Sequence, residues 1–173
     1  MSGKSLFLFS NRKPEIDVAG RLARLVNLTT PNMLLQGDER RSTNRANRSL
    51  PVLLAAWEND EPVADETTMA ITKDIGDTGI SLILCQPLRM DQLVVGFWMP
   101  DEPGNLVDGT PFYVLTQVIT NTPLGGGFWQ CGVRAECVLT LADYPQLEVL
   151  SEKMQHLAPP RTAFDSSDEL PPL

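Results

Sequence analysis

The sequence is poor in the residues on which most metal sites and nucleophilic catalytic sites depend. Its 173 residues include one histidine and three cysteines. Cys85, Cys131 and Cys137 are odd in number and show no CxxC spacing, so neither a disulfide framework nor a zinc site is indicated. His156 lies near the end of a predicted helix, where a solitary imidazole is typical of a solvated helix end. These shortages exclude most metal centres and most catalytic triads.

Long apolar runs are absent too. No run is long enough to cross a bilayer, and the early SLFLFS patch is too short for a signal-peptide core and lacks a small-residue cleavage site. We therefore expect a cytoplasmic protein without a membrane span.

Positive charge is scarce, since the formal net charge is -8. An acidic chain is a poor ligand for polynucleotides, whose phosphates attract basic surfaces. Aromatic side chains in strand-like runs could form a base-stacking platform, but in amphipathic strands they are more often core residues. This set comprises Trp57, Phe97, Trp98, Phe128 and Trp129. We expect no polynucleotide partner.

Two acidic segments are the remaining candidates for catalysis. Both ENDEPVADE (58–66) and MPDEPGNLVDG (99–109) have the composition of loops. Their carboxylates have no histidine, cysteine or lysine partner at a recognisable spacing. The sequence therefore predicts a protein that is not an enzyme and needs no cofactor.

The distribution of apolar residues predicts a mainly β domain between two helices. An amphipathic helix is expected from Pro14 to Leu28, and a second from about Tyr144 with Asp143 as its cap. Between them, six strand-like runs with short connections favour an antiparallel barrel from about residue 50 to 141. These runs are 49–57, 67–73, 80–85, 91–99, 111–121 and 127–141. Residues 1–38 are interpreted as a helical extension and linker, 39–157 as the barrel with its C-terminal helix, and 158–173 as a disordered acidic, proline-rich tail.

The segment DERRSTNRANRSLPV (38–52) gathers Arg40, Arg41, Arg45 and Arg48 just before the first strand-like run. Such a cluster is either a solvated, charged linker or a clamp for an anionic ligand. Arginine suits the second role, because its planar fork donates paired hydrogen bonds to phosphate or to a guanine edge and its face stacks on a base.

The segment DIGDTGISL (74–82) is a second candidate. Asp74, Gly76 and Gly79 predict a tight turn between the second and third strands, with backbone N–H groups and one carboxylate facing the same spot. The alternative interpretation is a plain hairpin turn, in which aspartate and glycine are favoured for conformation alone.

In this order, the two segments resemble the PilZ domain family, which carries RxxxR ahead of a six-stranded, split antiparallel barrel and [D/N]xSxxG at a later turn. The matching residues are 41–45 (RSTNR) and 74–79 (DIGDTG), and the run Gly132–Arg134 is similar to the closing strand of such domains. The resemblance implies a cyclic di-GMP receptor that changes its contact with a downstream protein. Arg41 and Arg45 would clamp the ligand, Asp74 would read a base, and Arg40 and Arg48 could add contacts.

One residue departs from the family pattern, since Gly76 occupies the position of the serine. A lost neutral hydrogen bond is worth about 0.5–1.5 kcal/mol, which weakens binding tenfold or less. A second hypothesis is therefore an interaction adaptor with the same fold that no longer binds cyclic di-GMP. The identity of the downstream protein, the ligand stoichiometry and the oligomeric state do not follow from the sequence.

The composition of the tail generates a prediction. Residues after Pro159 are too polar and too rich in proline to build a core. We expect truncation there to leave the melting temperature nearly unchanged in differential scanning calorimetry. A cooperative loss of several degrees would contradict this and make the tail part of the fold.

Overall fold

The computed structural model describes residues 18–29, 45–105 and 107–157. The predicted tail, the predicted boundary at residue 38 and the start of the predicted N-terminal helix lie outside these ranges. The described chain is mainly β, with antiparallel strands between two helices, as predicted. In chain order the elements are α1 (Val18–Leu28), β1 (Arg45–Asn47), β2 (Pro51–Glu58), β3 (Glu61–Gly76), β4 (Gly79–Leu84), β5 (Gln92–Pro100), β6 (Gly109–Gly125), β7 (Phe128–Leu139) and α2 (Leu147–Gln155).

The six longer strands pair in a closed ring. Their order is β3, β2, β5, β6, β7 and β4, and a further pairing between β3 and β4 completes the circuit. Every pairing is antiparallel, and the connections are short. The ring spans Pro51 to Leu139, close to the predicted interval, and closure leaves these strands with few free edges.

The expected count of six strands is wrong for the described chain, which has seven. The additional strand, β1, runs along the same edge of β3 as β2. Asn47 pairs with Asp74, and Pro51 pairs with Ile71, so the two short strands continue each other. The first predicted strand is therefore preceded by a separate three-residue piece, because the ladder breaks between Asn47 and Pro51.

The side chain of Thr72 bridges this break. Its hydroxyl donates to the carbonyl of Arg48 and accepts a hydrogen bond from the backbone N–H of Leu50 at 2.9 Å. The backbone N–H of Thr72 also donates to the carbonyl of Leu50 at 2.9 Å. Thr72 is 1% exposed, so these bonds satisfy backbone groups that water cannot easily reach. One hydroxyl thus holds β1 in line with β2.

The main core lies inside the ring. Alternate residues of all six ring strands are buried there, as the two-residue period of a strand requires. Phe97 and Phe112 belong to this core and stack with ring centroids 5.0 Å apart. The ring strands supply Val52, Leu54, Ala70, Ile75, Ile80, Leu82, Leu84, Leu93, Val95, Phe97, Met99, Phe112, Val114, Cys131 and Val133.

Helix α1 packs onto this interior cluster. Leu22 and Leu25 are 1% and 0% exposed and belong to the same cluster as the inward strand residues. An isolated helix of 11 residues is marginal in water, so this packing stabilises it. Burial of each leucine contributes about 1.5–3 kcal/mol relative to exposure.

Helix α2 covers part of the outer face of the ring. Leu147, Leu150 and Met154 pack on outward residues of β2, β3, β5, β6 and β7. The hydroxyl of Tyr113 lies 2.6 Å from Ser151 Oγ, and Ser151 Oγ donates to the carbonyl of Leu147 at 3.2 Å. Burial raises the pKa of Tyr113, and the bond to Ser151 partly offsets this.

The predicted start of this second helix is wrong. It begins at Leu147, not at Tyr144, and Gln146 occupies the cap position without a side-chain capping bond. Asp143, the predicted cap, instead accepts a hydrogen bond from Thr140 Oγ1 at 2.9 Å. The aspartate therefore closes the turn after β7, and the helix starts one turn later.

The first acidic segment was also expected to be a loop, but only its beginning is one. Asn59 and Asp60 form the two-residue turn between β2 and β3, with φ values of 53° and 62°. Both residue types tolerate this left-handed region, which suits a hairpin turn. From Glu61 onward the segment belongs to β3. Charged residues on the exposed face of a strand gave it the composition of a loop.

The histidine and the three cysteines all lie in described parts of the chain. The three cysteines are free thiols, and Cys131 lies in the core, where burial raises its pKa. His156 is exposed at the end of α2. Among the described residues, no group of three or more His, Cys, Asp and Glu side chains could hold a metal ion. No helix in the described ranges has the length and apolar character to span a membrane.

Thr72→Val tests the bridge across the break. Valine has the same shape but leaves the carbonyl of Arg48 and the N–H of Leu50 without their partner, so we expect a loss of about 1–3 kcal/mol in urea unfolding. Thr68→Val, at an exposed position of the same strand, is the matched control and should change stability by less than about 0.5 kcal/mol. Equal effects of the two substitutions would contradict the role of the hydroxyl.

Candidate functional site

Two of the predicted site residues meet where β1 pairs with β3. Arg45 lies opposite Gly76, and Asn47 lies opposite Asp74. Arg45 Nη1 donates to Asp74 Oδ1 at 3.2 Å, with the two side chains 36% and 14% exposed. The strand register therefore brings together a guanidinium and a carboxylate that are 29 residues apart in the chain.

These residues lie on the outer face of the ring. Ile75 and Ile80 point into the core and pair with each other across β3 and β4. Because side chains alternate along a strand, Asp74, Gly76 and Gly79 face outward. Helix α2 packs on a different part of this outer face, because the residues beneath it come from other positions in the sheet.

The glycines flank the turn, as predicted, but for a different reason. Gly76 ends β3 and Gly79 begins β4, with Asp77 and Thr78 between them. Neither glycine is among the described residues with positive φ. A Cβ atom on Gly79 would lie 2.7 Å from the carbonyl oxygen of Val133, so close approach of β7 requires glycine there. Asp74 itself lies within the strand and not in the turn.

Arg48 contacts a different part of the molecule. Its Nε and Nη2 donate to the carbonyl of Val26 at 3.1 and 3.0 Å, and Nη1 donates to the carbonyl of Asn47 at 2.8 Å. Burial lowers the pKa of Arg48, which remains charged at physiological pH. The cation lies near the C-terminus of α1, where the helix dipole favours it. The structure therefore links Arg48 to α1, and its ligand role stays a prediction.

Arg40 and Arg41 lie outside the described residues. Of the predicted RxxxR pair, the structure describes Arg45 alone. The described site thus comprises Arg45, Asp74, Gly76 and Gly79.

Sequence reasoning missed a row of residues beside Asp74. Ser81 of β4 lies opposite Asp74, Gly132 of β7 lies opposite Ser81, and Thr120 of β6 lies opposite Gly132. Directly paired residues share a face, so these residues form a row of outward-facing positions across four strands. Gly132 donates its N–H to Thr120 Oγ1 at 3.1 Å, and a Cβ atom there would lie 2.7 Å from that oxygen. Only the register of the strands reveals this row.

Two further cations lie on the same face. Lys73 occupies an irregularity in the pairing of β3 with β4, and its Nζ donates to Gln130 Oε1 on β7 at 3.0 Å. Arg134 lies opposite Gly79 and donates to Gln117. A β-bulge of this kind redirects a side chain, which explains how Lys73 reaches across β4. Together with Arg45 they place three positive charges around the row in an acidic protein.

The row contains an unsatisfied polar group. Ser81 is 2% exposed, and its hydroxyl has no hydrogen-bond partner among the described residues. A buried polar group without a partner costs about 1–3 kcal/mol. Such a cost in the middle of a regular strand calls for an explanation.

The arrangement suits a planar, anionic ligand. Arg45, Lys73 and Arg134 can neutralise negative charge, and a guanidinium can donate two parallel hydrogen bonds. Asp74 is an acceptor for N–H groups. Gly76, Gly79 and Gly132 add no side chains to this face, although Gly76 and Gly79 are themselves buried.

Comparisons with known proteins give no family assignment. No known protein family and no curated protein matches the sequence. Among solved structures, the Bacillus subtilis inhibitor of motility MotI/DgrA aligns with 14% identity and a TM-score of 0.43, covering 77% of this chain and 58% of that one. MrkH, described as a c-di-GMP-dependent transcription regulatory factor, aligns with 17% identity and a TM-score of 0.32, covering 67% and 51%. This chain therefore spans little more than half the length of either protein.

The pairing of Arg45 with Asp74 generates a prediction about stability. Because both side chains are partly exposed, their coupling free energy should be about 0.2–1 kcal/mol. The measurement is a double-mutant cycle of Arg45→Ala and Asp74→Ala by urea unfolding. A coupling above about 2 kcal/mol would mean that the pair serves the fold and cannot readily open for a ligand.

Proposed function

We propose that the protein is a PilZ-type receptor for cyclic di-GMP that has no enzymatic activity and changes its contact with another protein on ligand binding. The observation that carries the proposal is the meeting of Arg45 with Asp74 at 3.2 Å on an outward face bordered by Gly76 and Gly79. These four positions belong to the two motifs that resemble the PilZ pattern.

Arg45 and Asp74 together can bind the acceptor groups and the donor groups of a guanine nucleotide. A guanidinium can donate to phosphate oxygens or to the O6 and N7 acceptors of guanine. The Asp74 carboxylate can accept from the N1–H and N2–H donors of the same base. In the described arrangement each group partners the other, so a ligand that offers both donors and acceptors can replace their contact without leaving either charge unpaired.

The arginines upstream of β1 can contribute to the same surface. Arg41 precedes Arg45 by four residues, which span at most about 14 Å of chain. Neighbouring strands lie about 5 Å apart, so a surface three strands wide is within this reach. We expect Arg41 to form the second arm of the clamp and Arg40 to add a phosphate contact.

The contact of Arg48 with α1 supports a route from ligand to partner. Arg45 and Arg48 lie three residues apart, one on the outward face with Asp74 and the other bonded to Val26. A ligand that shifts β1 therefore acts on the C-terminal end of α1. Helix α1 is the surface we expect a downstream protein to sense.

A second candidate function is that of an adaptor with this fold but no nucleotide site. It is favoured by Gly76, which lacks the hydroxyl of the PilZ motif, and by the existing contact between Arg45 and Asp74. Ligand binding separates the two functions.

Isothermal titration with cyclic di-GMP tests the proposal. We expect wild-type protein to bind, and Arg45→Ala to bind at least tenfold more weakly, since a charge-assisted contact contributes about 1.5–3 kcal/mol. Arg45→Lys should resemble the alanine variant, because an ammonium group restores the charge but not the planar fork. Asp74→Asn should also weaken binding.

Arg89→Ala is the matched control, because Arg89 is an exposed arginine in the connection between β4 and β5. It should bind like wild type, and cyclic di-AMP should bind more weakly than cyclic di-GMP. Absence of binding by the wild-type protein would reject the receptor function in favour of the adaptor. Equal affinities of the wild-type and Arg45 variants would place the ligand elsewhere.

A further inference from the structure

The hydroxyl of Ser81 differs from the other buried hydroxyls of the described chain. Five serine and threonine side chains are buried there, and among these Ser81 alone has no hydrogen-bond partner in the described ranges. Each of the other four donates a hydrogen bond to a backbone carbonyl: Thr29 to that of Leu25, Thr72 to that of Arg48, Thr116 to that of Leu93 and Ser151 to that of Leu147. The fold therefore uses each of those hydroxyls, but not that of Ser81.

The position of Ser81 relates it to the missing serine of the motif. Asp74 lies directly opposite Ser81 across the strands and two residues before Gly76 along β3. Asp74 is thus about 5 Å from one position and about 7 Å from the other, and all three face outward. A hydroxyl at either position serves the same small region beside the carboxylate.

The hydroxyl of Ser81 is buried in the free protein, so a ligand must displace neighbouring groups to reach it. Gly132, its partner on β7, has no side chain, and Asp74, its partner on β3, is bonded to a partly exposed arginine. Opening of the contact between Arg45 and Asp74 is the rearrangement that a ligand requires. We expect the same movement to open the space next to Ser81, because Asp74 is its direct neighbour across the strands.

We propose that Ser81 is a ligand-binding residue, and that its hydroxyl makes the hydrogen bond to cyclic di-GMP that a serine at position 76 would otherwise make. The inference rests on the proposed function and adds a residue from β4 to the site. It also explains why the chain keeps an unsatisfied hydroxyl inside a regular strand, since the ligand satisfies it.

The test combines ligand affinity with the thermal stability of the free protein. Ser81→Ala should weaken cyclic di-GMP binding about three- to tenfold in isothermal titration, which corresponds to one neutral hydrogen bond. Its melting temperature without ligand should equal or exceed that of wild type, because the substitution removes a buried group that has no partner. If the hydroxyl instead stabilised the fold, Ser81→Ala would lower the melting temperature.

Ser151→Ala is the matched control. Ser151 is also a buried serine, but it bonds to Tyr113 and to the carbonyl of Leu147 under α2. This variant should lose melting temperature and keep wild-type affinity. Gly76→Ser in the Ser81→Ala background should recover binding, because it returns a hydroxyl to the same region.

Each result decides the proposal. Unchanged affinity of Ser81→Ala, with wild-type binding intact, overturns the role of Ser81 and leaves the receptor function standing. A melting temperature several degrees lower assigns the hydroxyl to the fold and also overturns it. Failure of Gly76→Ser to recover binding shows that the two positions do not serve the same ligand group. Absence of binding by wild type removes the receptor function and this inference together.

Discussion

The interaction on which the site depends is the bridge that Thr72 makes across the break between β1 and β2. Without a hydroxyl at this point, the carbonyl of Arg48 and the N–H of Leu50 would lack a partner in a part-buried position. With it, β1 stays on the edge of β3 in a register that sets Arg45 opposite Gly76. The same break turns Arg48 toward α1. One buried threonine therefore fixes the backbone that follows β1, from which Arg48 reaches Val26.

The rest of the candidate surface follows from closure of the ring. Pairing of β3 with β4, and of β4 with β7, sets residues from distant parts of the chain side by side on one outward face. Ser81, Gly132 and Thr120 continue the line that starts at Asp74. Helix α2 covers another part of the outer face, and α1 packs on the interior cluster. The two helices thus pack on different sets of ring residues.

Much of the fold could be predicted from the sequence because strands with one buried face alternate in polarity. The six predicted runs correspond to β2 through β7, and both helices lie where apolar periodicity indicated. The strand β1 could not be predicted, since its three residues carry no alternating pattern and are fixed by pairing with β3. The start of α2 was misjudged because Asp143 has the chemistry of a cap but bonds to Thr140.

The positions of the candidate site residues could be predicted only where they follow a motif. Arg45, Asp74, Gly76 and Gly79 were found from local spacing, and the structure brings these four together. Ser81 and Arg134 were not, because their proximity to Asp74 depends on the register of three strands. Lys73 directly precedes Asp74, but only the irregularity in the pairing of β3 with β4 places both side chains on the same face. Similarly, the need for glycine at position 79 comes from the carbonyl of Val133 on a neighbouring strand. Such contacts between strands leave no pattern within a short segment.

The central claim is that one outward face of the ring binds cyclic di-GMP. The most direct measurement is an NMR titration of backbone amides with this dinucleotide. We expect the largest shift changes at Arg45, Gly76, Gly79, Ser81 and Gly132, which share this face. Amides of α2, which packs on a different part of the ring, should change little. Saturable changes confined to α2, or no changes at any ligand concentration, would contradict the account.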